Sequence, residues 1–526
     1  MDNGKIIKTD ILVAGSGIAG IKAALTASKE GMDVLVISKT KECASNHVLG
    51  FNAVLSPDDD IDTYYNDTLL GGGLINNKKL VKTLAQNAKK EVEDIEKINL
   101  EFDKDENGYH LLKPLGCTYP RLAHIENLTG KITLEKFKEL SCENGVKIKY
   151  NAMLKDIIVK DEKVACATYF DLDKKEIVTV WCKAIIVATG GIHIAKDSTY
   201  HFNMTGDGYA ASYRAGAYLT DMEFIQYEPC RCIYPKKLGI STTLLAKGGK
   251  ITNKNGERFL LKYYDSEGKI PKDALAKLIF EEIVKGNGSE HNGVYLDLTD
   301  IPKDEIIEKH SLYYKRFLNE GIDITKEKIE VAPCAHSFMG GIVIDKNTKT
   351  NIDGLFAAGE AAGGIHGANR VGGNAGTEIY VFGTIAGYQS AKYAKENYFS
   401  PLQKLSYEKQ AQNAQSKKHF EDKKLYLRDL MAKNMGPVRY PNLLMDAQKT
   451  LENMFSESIN TSYLDFDAYV SKTEYENMLT VCILSVKAAI ERKESRGVHT
   501  RCDFPDTNKE YERNFIHKRI KIWTLK

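Results

Sequence analysis

The stretch Ile11-Leu12-Val13-Ala14-Gly15-Ser16-Gly17-Ile18-Ala19-Gly20 constrains this chain more than any other. An apolar run ends in glycines, and Ile21-Lys22-Ala23-Ala24-Leu25 then reads as a helix. This is G-x-G-x-x-G set between a strand and a helix, as in a dinucleotide-binding βαβ unit. Gly15 permits the tight turn, Gly17 lets the backbone approach a pyrophosphate, and Gly20 lets the helix pack close to the strand. The helix N-terminus, with its free N–H groups and positive dipole end, then faces the phosphates. The competing reading is a glycine turn in another α/β domain, and the flanking strand and helix weigh against it.

Composition narrows the class. A chain of 526 residues, 43% of them hydrophobic, is long enough for several domains with real cores. Lys plus Arg number 73 against 71 Asp plus Glu, and no basic block stands out, so nucleic acid is not an expected partner. Met1-Asp2-Asn3-Gly4-Lys5 lacks the apolar core of a signal peptide, and no run of about 18 apolar residues predicts a spanning helix. The ten cysteines are scattered, with no C-x-x-C and only Cys230-Arg231-Cys232 as a close pair. Reduced thiols in a cytoplasmic protein, and no metal site, are the expectation.

Further along, Asp33-Val34-Leu35-Val36-Ile37 reads as the second strand and ends at Ser38-Lys39. An NAD-type unit usually carries an acidic residue near this point for the ribose hydroxyls, so this ending points away from ordinary NAD binding. Cys43 to Leu55 is rich in small residues and is read as a connection or as a loop lying along a cofactor. Helical periodicity covers 79–99, and another helix is expected over 133–142. Short strands are expected at 147–150, 156–160, 164–169 and 177–181, the last three as a β-meander inserted in the nucleotide domain. Lys183 to Gly191 reads as a further buried parallel strand stopped by glycines. Asn203-Met204-Thr205-Gly206-Asp207-Gly208 precedes a small-residue helix over 209–217. From Pro229 to about Ala335 charges become denser, as in a separate inserted domain. The buried character returns at Gly354 to Glu360, then a glycine-rich loop with His366 and Arg370 runs into a helix over 379–394. A helical region over roughly 404–498 closes with Glu494-Ser495-Arg496-Gly497.

These motifs together resemble the flavoprotein subunits of fumarate reductase and succinate dehydrogenase, and their relative L-aspartate oxidase. The resemblance runs almost end to end: the first glycine loop, Ser38-Lys39, Asn203 to Gly208, Asp221 to Gln226, Asn255 to Phe259, His336-Ser337-Phe338-Met339-Gly340-Gly341, His366 to Gly373 and Glu494 to Gly497. It implies an α/β fold: a Rossmann-like FAD-binding domain (1–228 and 341–400) with an inserted α+β capping domain (229–340) and a C-terminal helical domain (401–526). It implies FAD, with Gly15, Ser16, Gly17, Ile18, Ala19 and Gly20 around the pyrophosphate and Ser38 and Lys39 near the adenosine half. Gly50 is expected beside the cofactor, Asp207 and Glu360 along its polar chain, and Asn374 and Ala375 at the helix start facing the flavin pyrimidine edge. Where some members attach FAD through a histidine, this chain has Cys43 or Ala44, with His47 out of register, so noncovalent FAD is expected.

Hydride transfer beside a carboxylate needs a cation to hold the carboxylate and an acid or base on the face away from the flavin. The resemblance gives the first task to His336 and Arg370, with His366 opening the same motif. Two departures stand out. Glu228 replaces a substrate-binding histidine after Phe224-Ile225-Gln226-Tyr227, and Leu245 stands where the resemblance places a proton-relaying arginine. Lys247, Lys250, Arg231 and Tyr227 are the candidate replacements, and the downstream Arg-Asp pair is softened to Lys272-Asp273. The expected activity is therefore oxidation or reduction of a small carboxylate, such as an amino or hydroxy acid. The alternatives are an adenylylsulfate-reductase-like flavoprotein exchanging electrons with an iron–sulfur partner, and a non-catalytic flavin binder.

Overall fold

The structure is a computed structural model that describes residues 5–106, 108–114, 116–402 and 413–519. Its organising layer is a five-stranded sheet ordered Leu355–Ala357, Ala184–Val187, Ile11–Ala14, Val34–Ile37, Lys147–Lys149, parallel throughout. The first four runs in that order are apolar and wholly buried, as a parallel sheet covered on both faces requires. Helices Ile18–Lys29 and Asn374–Glu396 pack against each other on one face. Glycine makes that approach possible, because a Cβ on Gly383 would meet the Ala19 carbonyl oxygen at 2.8 Å and one on Gly387 the Ala23 oxygen at 2.3 Å.

Most predicted elements form with their ends shifted by a few residues. The first helix begins at Ile18, the 79–99 helix spans Lys78–Glu96, and the 133–142 helix spans Thr129–Glu143. The small-residue helix is Asp207–Ala215, stopped by Gly216 at φ +100°. The meander forms as Ala152–Lys160, Lys163–Asp171 and Glu176–Trp181. It gains a strand that the sequence pattern does not signal, Ile6–Lys8, which pairs in parallel with Glu176–Trp181.

A second five-stranded sheet is antiparallel, ordered Leu238–Gly239, Ile225–Tyr234, Ile329–Phe338, Val294–Asp297, Lys250–Thr252. With helix Lys272–Glu282 it encloses its own core, which runs from Cys230 to Val331. The division expected at 228/229 falls inside the strand Ile225–Tyr234, so one continuous strand carries the chain into this unit.

Helices Lys417–Asn434, Pro441–Ile459 and Phe466–Glu491 pack together near the end of the chain. The expected helical region begins over 404–412, outside the described residues, as does Met1 to Gly4. Among the described residues the cysteines are all free, none of the His, Cys, Asp and Glu side chains cluster to hold a metal, and no helix is long and apolar enough to cross a membrane.

Candidate active site

The carboxyl edge of the parallel sheet carries the first half of the site. Gly15 turns at φ +118°, where a Cβ would lie 2.1 Å from the Ala188 carbonyl oxygen. A Cβ on Gly20 would lie 2.0 Å from the Gly15 oxygen, so the helix seats directly on the turn. Gly17 caps the helix with no side-chain hydrogen bond, leaving the amides of its first turn to a ligand, except that Ile18 N donates to Ser45 Oγ at 3.0 Å. Ser16 Oγ donates to Ser38 Oγ at 2.8 Å, joining the glycine turn to the end of the second strand. A second helix start has the same character. Gly373, at φ +82°, precedes Asn374 and Ala375 with no side-chain cap, and a Cβ there would strike Asn52. Two uncapped helix N-termini at one sheet edge fit the diphosphate and the electron-rich ring of a flavin dinucleotide.

Lys39 Nζ lies 2.7 Å from Thr205 Oγ1, 3.1 Å from Asp207 Oδ2 and 2.6 Å from Glu474 Oε1. Asp207 Oδ1 accepts from Thr205 Oγ1 at 2.7 Å and Asn477 Nδ2 at 2.9 Å. The Glu360 carboxylate accepts from the Tyr200 hydroxyl, from Phe338 N at 3.0 Å and from Ser337 Oγ at 3.3 Å, and burial raises its pKa. Gly50 lies in strand Gly50–Asn52, where a Cβ would come 2.2 Å from the Ala123 oxygen. Close strand packing therefore accounts for glycine at that position without a ligand.

The second half of the site joins the antiparallel sheet to the loop before helix Asn374–Glu396. Arg370 Nη2 donates to Gln226 Oε1 at 2.9 Å, and Gln226 Nε2 in turn donates to Asn369 Oδ1 at 2.7 Å. Arg370 Nε is buried with no partner in the protein, an orphaned donor of the kind that takes a carboxylate oxygen. His336 Nδ1 lies 3.0 Å from Thr199 Oγ1. Burial, with Arg370, Lys272 and Arg231 nearby, pushes its pKa down to about 3, so the ring is neutral and offers Nε2 as a donor when Thr199 donates to Nδ1. Glu228 accepts from Lys272 Nζ at 3.3 and 3.2 Å. Lys272 is the first residue of its helix, which places the ammonium beside the sheet.

The structure thus sets Arg370 against Gln226, His336 against Thr199, and Glu228 against Lys272, whose side chain is 48% exposed and whose contact with Glu228 sequence reasoning missed. It does not bring in Lys247. That side chain ends the short helical turn Thr242–Lys247 and pairs with Glu305 at 3.3 Å. The same turn buries Leu245 in the capping core. Lys250 pairs with Asp300, and the Tyr227 hydroxyl is taken by the Met435 carbonyl. His366 is also withdrawn: its Nε2 lies 2.8 Å from the Glu378 carboxylate and both side chains are buried. The signal for Lys272 lay in the softened Lys272-Asp273 pair, which reads in the sequence only as a weakened motif.

A parallel sheet with a glycine turn, a second uncapped helix and an antiparallel cap define an FAD-dependent oxidoreductase. Residues 10–375 match the FAD binding domain family, and residues 424–523 match the fumarate reductase flavoprotein C-terminal family. A Methanocaldococcus jannaschii protein named an uncharacterized FAD-dependent oxidoreductase is 35% identical, covering 98% of this chain and 97% of that protein. A subunit of the fumarate reductase (CoM/CoB) of Methanothermobacter marburgensis is 33% identical, covering 98% of each. The structure of Mycobacterium smegmatis Sdh1 in complex with UQ1 superposes with a TM-score of 0.87 at 29% identity, covering 98% of this chain and 94% of that one. The chain belongs to the fumarate reductase and succinate dehydrogenase flavoprotein family, which includes L-aspartate oxidase, and FAD is its cofactor.

Proposed function

We propose that this protein transfers hydride between its flavin and a small carboxylate-bearing substrate, an amino or hydroxy acid or the corresponding unsaturated acid. FAD, when bound, supplies the hydride donor or acceptor. Arg370 holds the carboxylate through Nε and the outer guanidinium edge, while Gln226 fixes the plane of the guanidinium. Neutral His336 donates from Nε2 to the same substrate. Lys272 Nζ holds the proton on the cap side, in place of the arginine that Leu245 replaces, and Glu228 orients that ammonium. Glu228 also presents a carboxylate oxygen to an amine or hydroxyl on the substrate. The observation that carries this reading is the unpartnered, buried Arg370 Nε beside a neutral histidine. FAD is held without a covalent bond, since Cys43 and Ala44 stand at the attachment segment and His47 is exposed. The test is anaerobic: amino, hydroxy and saturated acids are added to the oxidised protein, and unsaturated acids to the reduced protein. Bleaching or reoxidation of the flavin by one such class supports the reading, and a panel in which no acid exchanges electrons overturns it.

A second reading concerns the electron partner. The relative from Methanothermobacter marburgensis is named as one subunit of its fumarate reductase, and this chain covers 98% of it. We infer as a second reading that this chain works with a partner subunit, and we propose that the partner is an iron–sulfur protein with which the flavin exchanges electrons. Co-purification of a cluster-bearing protein at fixed stoichiometry supports it, and full turnover with small-molecule acceptors by a pure monomer counts against it.

A further inference from the structure

The dinucleotide-binding pattern calls for a carboxylate at the end of the second strand, where this chain has Ser38-Lys39. Carboxylates nevertheless reach that corner from elsewhere in the chain. Asp207 comes from the segment after the strand Ala184–Val187, and Glu474 comes from the helix Phe466–Glu491, far along the sequence. Both hold Lys39 Nζ, at 3.1 and 2.6 Å. Ser38, its neighbour, is hydrogen-bonded to Ser16 of the glycine turn at 2.8 Å, so the clamp sits at the carboxyl edge where a dinucleotide lies. One helical turn beyond Glu474, Asn477 is wholly buried and donates to Asp207 Oδ1 at 2.9 Å, while its own oxygen accepts from Arg214 Nη1 at 2.7 Å. On the far side Glu474 is also paired with Lys424, which pairs with Glu421 at 2.9 Å.

We propose that the helix Phe466–Glu491 is a built part of the nucleotide half of the FAD site. Glu474 and Asn477 are positioning residues: they fix Lys39 and Asp207 against the glycine turn, so that FAD binding and docking of the C-terminal helices are coupled. The balance of charge favours this arrangement. Two ammonium groups, Lys39 and Lys424, face Asp207 and Glu474 at low exposure, and removing one partner leaves a buried ion uncompensated. A loosened Lys39 is then free to shift beside the glycine turn. The inference rests on FAD binding alone and stands or falls separately from the substrate reading.

The test uses full-length apoprotein titrated with FAD, with hydrogen exchange followed over residues 466–491. Wild-type exchange in this helix is expected to slow when FAD binds. Glu474→Gln is expected to weaken FAD binding by about tenfold or more. Lys424→Met, which leaves the Lys39–Glu474 contact in place, is expected to lower the melting temperature while holding FAD affinity within about threefold. A purely structural role would instead move stability in both variants and affinity in neither. Should Glu474→Gln not fold, Asn477→Ala and the wild-type exchange experiment decide the matter. FAD affinity unchanged in Glu474→Gln or Asn477→Ala, or exchange in 466–491 indifferent to FAD, overturns the proposal.

Discussion

Lys272 Nζ lies 3.2 Å from Glu228 Oε2 and 3.3 Å from Glu228 Oε1, so the residue that replaces an expected histidine is joined to the one that begins the cap helix. In the proposed function this contact takes the place of the histidine and arginine that the family resemblance leads one to expect. A carboxylate alone would repel an anionic substrate, whereas a carboxylate already joined to an ammonium leaves the neighbouring Arg370 free to attract one.

Lys272→Met is expected to lower the rate of flavin reduction or reoxidation by about 100-fold or more, the usual loss when a positioned acid or base is removed. The oxidised flavin spectrum stays as in wild type. Stopped-flow absorbance measures the step directly, and a rate within about threefold of wild type would remove Lys272 from the proton path.

Arg370→Lys keeps the charge but loses the planar fork. It is expected to cost about 1.5–3 kcal/mol in kcat/KM, with the KM carrying most of it. Gln226→Ala frees the guanidinium plane without removing it and is expected to cost less. Steady-state kinetics on both variants, with one substrate, tests the ranking.

His336 is neutral because burial and the surrounding cations hold its pKa near 3, against an ordinary 6.5. As pH falls from about 6.5 toward 3, the unfolded chain takes up a proton here that the folded protein refuses, so this residue costs stability on the acid side. The kcat/KM profile is expected to show no limb near pH 6.5 from this ring. A limb at that pH in wild type that vanishes in His336→Asn contradicts the assignment.

Burial would raise the Glu474 pKa, but Lys39 and Lys424 overcome it and hold the carboxyl down at about 2. The stability this clamp gives is complete above the unfolded value of 4.5 and is lost as pH falls from there toward 2. The shift corresponds to a loss on the order of 3 kcal/mol. Urea unfolding of wild type and Glu474→Gln between pH 6 and 2 is expected to show the acid-dependent difference between them shrinking over that interval.

Lys247→Ala, by contrast, removes one end of a half-exposed pair with Glu305. Such pairs contribute about 0–1 kcal/mol, so turnover and melting temperature are expected to match wild type. A large loss of turnover would restore Lys247 to the site.

Lys247 and Lys272 show where legibility ended. Lys247 is a near chain neighbour of the missing arginine position, and nearness in the chain made it a candidate. The tight turn Thr242–Lys247 buries Leu245 and pairs Lys247 with Glu305. Lys272 lies 44 residues from Glu228, and only the packing of its helix against the strand Ile225–Tyr234 brings the pair together. His366 was legible as part of a motif, but its partner Glu378 was not, because the contact needs the glycine-rich loop to fold back over the first turns of the following helix.

Read alone, the chain already specified the nucleotide half: the apolar run, Gly15, Gly17 and Gly20, and the small-residue helices after them. These are local matters, since backbone angle, helix start and close approach are set by residues adjacent in the chain. Which charges meet was settled by packing in three dimensions. Lys39 with Glu474, Glu228 with Lys272 and Arg370 with Gln226 each join separate elements. Coulomb and hydrogen-bond energies depend on distance in space, and composition and spacing carry no record of that distance until the cores have packed.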